Sequence, residues 1–232
     1  LFSNIAPESR ELLQDKGSTT RFDKDETIFA HGASATQFYC LRAGQVRLFR
    51  ESENGDEAII GIADAPALLG IADYYRNAIH ENNAVCMRDC ILFTFPVKLL
   101  DMLIAHDSVF ARNICRHLAH SLHASDKALE LNSTQKASQR IGCFLLRHSG
   151  GQVEGAAHID LPYEKTLVAG MLGMRPETFS RGLGRLKRDL GIEIERTRVF
   201  IPDIAELAGY TCSACSGEYP CVQSGGELQT AE

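Results

Sequence analysis

Between Gly173 and Arg188 the chain carries Arg175, Arg181, Arg185, Lys187 and Arg188 against the single acid Glu177, a balance of +4 in sixteen residues. Read as a helix, the stretch puts Phe179, Leu183 and Leu186 on one side and Glu177, Ser180, Arg181 and Arg185 on the other. The polar side has a definite chemistry. A carboxylate accepts from cytosine N4, a guanidinium grips guanine O6 and N7 with two parallel bonds, and a hydroxyl serves either role. Glu177 and Arg181 also stand four apart, so each can hold the other in place. The plainer alternatives are an ordinary helix salt bridge and a solvated basic face.

A second set of reactive groups lies in the tail. Cys212, Cys215 and Cys221 form a C-x2-C-x5-C pattern. Three closely spaced thiolates suit an iron–sulfur cluster or a zinc site, each of which wants four ligands. Cys86, Cys90 or an acid could complete the set. The alternatives are a redox-active pair or an exposed tail with incidental cysteines. The other five, Cys40, Cys86, Cys90, Cys115 and Cys143, sit among apolar neighbours and read as small core hydrophobes. His117, His120 and His123 are three apart, a spacing at which neighbours can share a metal, and haem iron takes a His ligand. Positions 117 and 123 lie far apart around a helix, so the bland reading is a polar helix flank. His31 and His80 are equally inconclusive.

These residues need elements to carry them. In the first half, Thr27–Phe29, Phe38–Leu41, Gln45–Arg50, Ala58–Ile62 and Cys90–Phe95 read as short strands, and Asn54-Gly55 is a hairpin signal. Many short strands at even spacing predict a small barrel or roll. After Pro96 the period changes. Leu99, Leu100, Leu103 and Ile104 have helical spacing. Val109 to Leu131 is long, free of Gly and Pro, and apolar at Phe110, Ile114, Leu118, Leu122 and Leu129. One stripe of that helix can lie on the sheet, and a dimer partner is the economical cover for its second face. The alternative is a helix packed only within its own chain.

Gln139–His148 predicts a further helix and His158–Leu161 a short strand. Glu164–Leu172 and Pro176–Leu190 predict two helices broken at Gly173-Met174-Arg175, with Pro at the first helical position and Gly191 as the stop. Ile192–Ile194 and Val199–Ile201 read as a hairpin. Helix, short break with Gly, then basic helix is the arrangement that lays one helix in a DNA major groove.

Composition bounds the rest. At 232 residues, 44% hydrophobic, the chain can bury a real core and is not a wholly disordered one. No apolar run approaches the ~20 residues that span a bilayer, and no leader pattern is visible, so no membrane association is expected. A net charge of −6 argues against coating nucleic acid non-specifically. Residues 138–210 nevertheless hold ten basic and nine acidic side chains, against fourteen and eighteen in 1–137 and none and three in 211–232. A chain of this size needs no disulfides, which predicts a reduced, cytoplasmic protein.

The segment Glu177-Thr178-Phe179-Ser180-Arg181, with Lys165–Leu172 before it, resembles the DNA-binding domain of the Crp/Fnr superfamily of bacterial transcription regulators, whose second helix carries E-T-x-S-R. Gly32, then Leu41-Arg42-Ala43-Gly44-Gln45-Val46-Arg47-Leu48, then Gly55-Asp56-Glu57 resemble that family's cyclic-nucleotide-binding-like roll. Arg140 in Gln139-Arg140-Ile141 resembles its entry into the second domain. The wording of Leu167–Gly170 and Arg175–Arg181 looks closest to the Dnr-like, nitrogen-oxide-responsive group.

The resemblance implies an α+β fold: a sensor β-roll over 1–106, a dimerisation helix over 107–134, a winged helix–turn–helix over 135–210, and a Cys-containing tail over 211–232. It implies a non-enzymatic homodimer that reads double-stranded DNA at a TTGAT-like palindrome and works with RNA polymerase. Glu177, Ser180 and Arg181 would read base edges, and Thr178, Arg185 and Lys187 would meet phosphates. Family members that bind cyclic AMP carry a Glu where Ile71 stands and an Arg where Asn82 stands, with Glu81 adding repulsion, so cyclic AMP is not expected. The signal would be redox state, oxygen or nitric oxide, with an iron–sulfur cluster, or haem between roll and helix, as candidate cofactors. No residue stands out as an axial haem ligand. The rival reading is a redox or metal-binding module, built on the tail cysteines, in which DNA binding is secondary.

Overall fold

Short β-branched and apolar runs cut by glycine turns assemble the first half of the chain into two antiparallel sheets. The computed structural model describes residues 2–213 except 52, 54, 56, 162 and 163. It divides into two units, residues 1–119 and 120–232, with the division inside one long helix.

The first unit begins with α1 (Pro7–Lys16) and continues through β1 (Ser18–Phe22), β2 (Thr27–Phe29), β3 (Gln37–Ala43), β4 (Gln45–Glu51), β5 (Glu57–Asp64) and β6 (Ala67–Leu69). Then come α2 (Ile71–Arg76), β7 (Asn83–Cys86), β8 (Cys90–Pro96) and α3 (Lys98–His106). One sheet has the order β1-β8-β3-β6 and the other β2-β7-β4-β5. This is the expected roll. Strands β1, β6 and β7 escape the sequence reading. Each is short, and β1 is mostly exposed, so none shows a clear apolar alternation.

One core cluster gathers Phe38, Phe95, Leu100, Leu103 and Phe110, and a second gathers Leu41, Val46, Leu69, Cys86, Cys90 and Leu92. Fully burying each such Leu or Phe contributes about 1.5–3 kcal/mol. Strict alternation in Gln45–Arg50 would turn Val46, Leu48 and Arg50 to the same face. Val46 and Leu48 do share the inner face, opposite Cys86 and Ala84 of β7 and against the second cluster, and the register with β5 shifts only between Leu48 and Phe49. Phe49 is buried outside both clusters, on the face of Arg47, whose guanidinium lies 4.3 Å from its ring centroid, and after the bulge Arg50 is exposed. Asn54, the first residue of the expected hairpin turn, lies outside the described residues. Gly44 is left-handed at φ 98°. A Cβ there would fall 2.5 Å from the Asp89 carbonyl oxygen and 2.8 Å from Cys90 Cα, so only glycine fits.

Asp107 starts the long helix α4 (Ser108–Thr134). Its Oδ1 accepts from the Val109 and Phe110 N–H groups at 3.0 Å each, and its Oδ2 accepts from Ala6 N–H at 2.8 Å. These bonds, that from Phe110 foremost, hold the Asp107 carboxyl below its ordinary value. The single apolar stripe expected along α4 divides in two. Phe110 and Ile114 bury in the roll's core, whereas Leu118 is exposed, Leu122 is 64% exposed and Leu129 is 67% exposed.

The second unit runs α5 (Ala137–Arg147), β9 (Ala157–Asp160), α6 (Lys165–Met171), α7 (Pro176–Leu190), β10 (Glu193–Glu195), β11 (Arg198–Ile201) and α8 (Ile204–Cys212). Its sheet has the order β10-β11-β9, all antiparallel. Helix α5 packs against α7 and α8. At Gly142 a Cβ would overlap the Thr211 hydroxyl and reach 3.0 Å from Leu207 Cδ1, so α5 and α8 approach backbone to side chain there. Arg140, on α5, donates to the Asn132 side chain, and burial lowers the pKa of its guanidinium.

Candidate nucleic-acid interface

The turn between α6 and α7 fixes how α7 is presented. Gly173 is left-handed at φ 60°, with nothing near its missing Cβ, so conformation and not space calls for glycine. That turn lets Met174 fold back, donating its N–H to the Ala169 carbonyl at 2.9 Å and burying its side chain. Arg175 is extended, and Pro176 opens α7 where a missing N–H costs nothing. Fifteen residues on, Gly191 at φ 63° closes it, donating to the Lys187 carbonyl at 3.0 Å.

Helix α7 buries Phe179, Gly182 and Leu186, and half-buries Leu183. A Cβ on Gly182 would stand 2.6 Å from Ile141 Cδ1 and 3.4 Å from the Ser138 nitrogen. Glycine therefore sets the close approach of α7 to α5. The opposite face is free to meet a partner. Glu177, Ser180, Arg181, Arg185 and Lys187 are exposed and Thr178 is half-buried. The three expected base readers thus share one solvent-facing surface with the three expected phosphate contacts.

One expectation is corrected. Glu177 and Arg181 do not pair. Arg181 Nη2 donates instead to the Thr178 hydroxyl at 3.4 Å, one turn back along the helix. A guanidinium held by a neutral hydroxyl keeps its full charge unneutralised, and Glu177 keeps a free carboxylate.

The sequence reading missed two further cations. The β10–β11 hairpin turns at Arg196, which is left-handed at φ 53°, and both Arg196 and Arg198 are exposed. Arg198 Nε lies 3.6 Å from Asp160, both side chains being more than 80% exposed, a pairing of little energetic worth. Lys165, at the start of α6, donates to the Ile194 carbonyl at 3.5 Å and ties this hairpin to the helix pair. The signal for them in the sequence is the Arg-rich turn Arg196-Thr197-Arg198 between two short strands.

In the roll, Ile71 is buried just after left-handed Gly70 and brings no carboxylate. The Glu81 carboxylate is bracketed by Arg50 at 3.6 Å and Arg76 at 3.9 Å, and accepts from Asn77 at 3.2 Å. Arg50 Nε also donates to the Glu81 carbonyl and to Asn82 Oδ1, at 3.0 and 2.9 Å. An internal carboxylate thus already occupies the cations of this corner.

The described residues do not fit a bound metal. Among them no group of three or more His, Cys, Asp or Glu side chains could hold one. Of the tail trio, Cys212 ends α8 and is half-buried, while Cys215 and Cys221 lie outside the described residues. Cys86 and Cys90 are sealed in the roll's core. His80 is buried, its ring stacked 3.9 Å from Phe29 and its Nδ1 2.9 Å from Asp73, so it presents no open face. No helix among the described residues is long and apolar enough to cross a membrane.

Comparison with known proteins agrees with this geometry. Residues 19–107 match the cyclic nucleotide-binding domain family, and residues 139–210 match the Crp-like helix-turn-helix domain family. The chain is 25% identical to the electron transport regulator A of Shewanella oneidensis, over 79% of this chain and 74% of that one. It is 24% identical to the fumarate and nitrate reduction regulatory protein of Escherichia coli K12, over 81% and 77% respectively. It shares its fold with FixK2 from Bradyrhizobium japonicum at a TM-score of 0.68 and 20% identity, covering 83% of this chain and 96% of that one. A roll, a long helix and a basic helix–turn–helix, in this order and with these relatives, make the chain a member of the Crp/Fnr family of transcription regulators.

Proposed function

We propose that the protein is a non-enzymatic, sequence-specific regulator that binds, as a homodimer, a TTGAT-like palindrome. The observation that carries this reading is the exposed face of α7, where Glu177, Ser180 and Arg181 stand clear of internal ion pairs on a helix anchored by Phe179 and Leu186. Two such helices on a two-fold axis read a two-fold operator. Thr178, Arg185 and Lys187 flank the readers and meet phosphates, joined by Arg196 of the hairpin. The exposed Leu118, Leu122 and Leu129 of α4 supply an apolar seam for the second copy, which favours the dimer over a helix packed within one chain. The four-part division at 106, 134 and 210 belongs to this reading, as do a cytoplasmic location and contact with RNA polymerase.

The signal in this reading is not cyclic AMP. Ile71 and Asn82 bring neither a ribose-binding carboxylate nor a phosphate-binding guanidinium, and Glu81 engages Arg50 and Arg76. The names of the relatives speak of electron transport and of fumarate and nitrate reduction, which favours redox state, oxygen or nitric oxide. The likeness to the Dnr-like group points the same way. A signal that binds the DNA-competent arrangement more tightly shifts the population toward it.

Mobility shift and footprinting of protein purified without air, on a TTGAT palindrome and on scrambled duplex, tests the reading. Protection of both half-sites supports it. A monomer indifferent to operator sequence, with and without nitric oxide, overturns it.

A further inference from the structure

Helix α8 is closed by residues far from it in the chain. Ser213, which follows its last residue, stays right-handed at φ −57°, where a left-handed glycine would ordinarily close the turn. The carbonyls of the last turn have no partner within the helix. They are met instead by two side-chain amides: Gln135 Nε2 donates to the Thr211 carbonyl at 3.3 Å, and Gln139 Nε2 to the Tyr210 carbonyl at 3.3 Å. The Ser138 and Tyr210 hydroxyls lie 2.8 Å apart and share a hydrogen bond.

These donors sit at the joint between two helices. Gln135 and Lys136 link α4, which ends at Thr134, to α5, which begins at Ala137. Gln135 still belongs to the α4 ladder, its N–H donating to the Leu131 carbonyl at 3.1 Å, whereas Ser138 and Gln139 lie in the first turn of α5. Helix α8 therefore holds both sides of the joint. Lys136 is extended, and its N–H donates to Gln139 Oε1 at 3.0 Å. The Gln139 amide thus grips the start of α5 with its oxygen and the end of α8 with its nitrogen. Gln135 is 7% exposed, and its Oε1 has no partner among the described residues, so the amide is placed by its donor side. Ser138 is buried and faces two ways. Its hydroxyl meets α8, and its nitrogen is 3.4 Å from where a Cβ on Gly182 of α7 would stand.

We propose that Gln135, Ser138, Gln139 and Tyr210 are positioning residues, a clasp by which α8 fixes the angle between α4 and the paired helices α5 and α7, and so sets the half-site spacing that the dimer accepts. The inference rests on the DNA-binding reading and deepens it. Leu122 and Leu129, the seam for the second copy, and α7, the reading helix, belong to one unit of the chain. The covalent path from seam to reader passes through Gln135 and Lys136, and α7 then packs on α5. A two-residue link alone leaves the angle free. Three bonds to α8, itself packed closely on α5 at Gly142, fix it. Two binding sites on a stiff link gain a high effective concentration only where their separation matches the target, whereas a loose link lowers the match and tolerates the mismatch. One inserted base pair turns a half-site by about a tenth of a helical turn, so a fixed angle discriminates at that step.

The test uses palindromes whose central spacer varies one base pair at a time, with a duplex carrying a single half-site. They are titrated by fluorescence anisotropy with full-length parent, Gln135→Leu and Tyr210→Phe, all purified without air and measured with and without nitric oxide. Leucine keeps an aliphatic side chain and removes the amide donor, and phenylalanine removes only a hydroxyl from a half-buried ring. The parent is expected to show a sharp optimum of spacing. In Gln135→Leu the ratio of affinity at the optimum to that one base pair away is expected to fall about tenfold, and in Tyr210→Phe about threefold, with single half-site affinity unchanged. Unchanged half-site binding separates a lost angle from a damaged reading helix. A folded variant that keeps the parent's spacing profile overturns the proposal, as does one whose single half-site affinity falls as far as its palindrome affinity. Tyr210→Phe decides the matter should Gln135→Leu fail to fold. A parent indifferent to every palindrome fails the DNA-binding reading itself and takes the clasp with it, whereas a discriminating parent with matching variants fails the clasp alone.

Discussion

Arg181 Nη2 lies 3.4 Å from the Thr178 hydroxyl and makes no ion pair with Glu177, four residues before it. The helix therefore offers three polar groups with their chemistry unspent. Arg181→Ala is expected to cost about 1–3 kcal/mol of operator binding and to relax the preference at one base pair of each half-site. Mobility shift on a set of singly substituted half-sites measures both. Equal loss on every sequence would return Arg181 to the phosphate contacts.

Arg185→Ala and Lys187→Ala should act differently. Each removes a phosphate contact, so binding weakens on all sequences alike and the slope of log K against log salt falls by about 1. Arg196→Ala on the hairpin is expected to behave in the same way. Titrations at several salt concentrations on operator and scrambled DNA distinguish the two classes.

Leu122 and Leu129 are exposed on α4 to the extent of 64% and 67%. Leu122→Glu and Leu129→Glu should leave each unit folded, since neither side chain serves its own core. Each would put an unpaired carboxylate into an apolar seam and weaken association more than about tenfold. Sedimentation velocity would then show a monomer at concentrations where the parent chain is a dimer.

Gly44→Ala should destabilise the roll by about 3 kcal/mol, combining a side chain at φ 98° with overlap onto the Asp89 carbonyl and Cys90 Cα. Neither obstacle is a flexible side-chain end that can swing away. Denaturant unfolding of the two chains measures the difference.

Asp107 gives the roll an acid limb. Its folded pKa lies below the ordinary 3.8 because backbone N–H groups of Phe110, Ala6 and Val109 and the Ser9 hydroxyl favour the carboxylate. A depressed carboxyl contributes stability that is fully present above its unfolded value and is lost as pH falls through its folded value. Asp107→Asn is expected to be less stable than the parent at neutral pH and to lose less on acidification below about pH 4. Thermal midpoints measured from pH 2 to 7 report the flattening.

The helix–turn–helix was legible in the sequence because its signals are local. Pro176 and Gly191 bound α7 by their own backbone preferences, Gly173 marks the turn by its positive φ, and Phe179 and Leu186 keep helical period. The roll was legible as a class for the same reason, from short β-branched runs between turns. Other features depend on residues far apart in the chain. The bulge after Leu48, which ends the alternation of β4 and leaves Arg50 exposed, arises from pairing with β5, and nothing in the strand itself announces it. The division of the α4 stripe into a buried start and a bare remainder depends on where the roll ends beneath it. The choice of Thr178 over Glu177 as the partner of Arg181 is a matter of rotamer, to which a spacing of four is blind. Dihedral preference and period act within a few residues and are written in order along the chain, whereas contact, burial and charge pairing exist only once distant segments have been brought together.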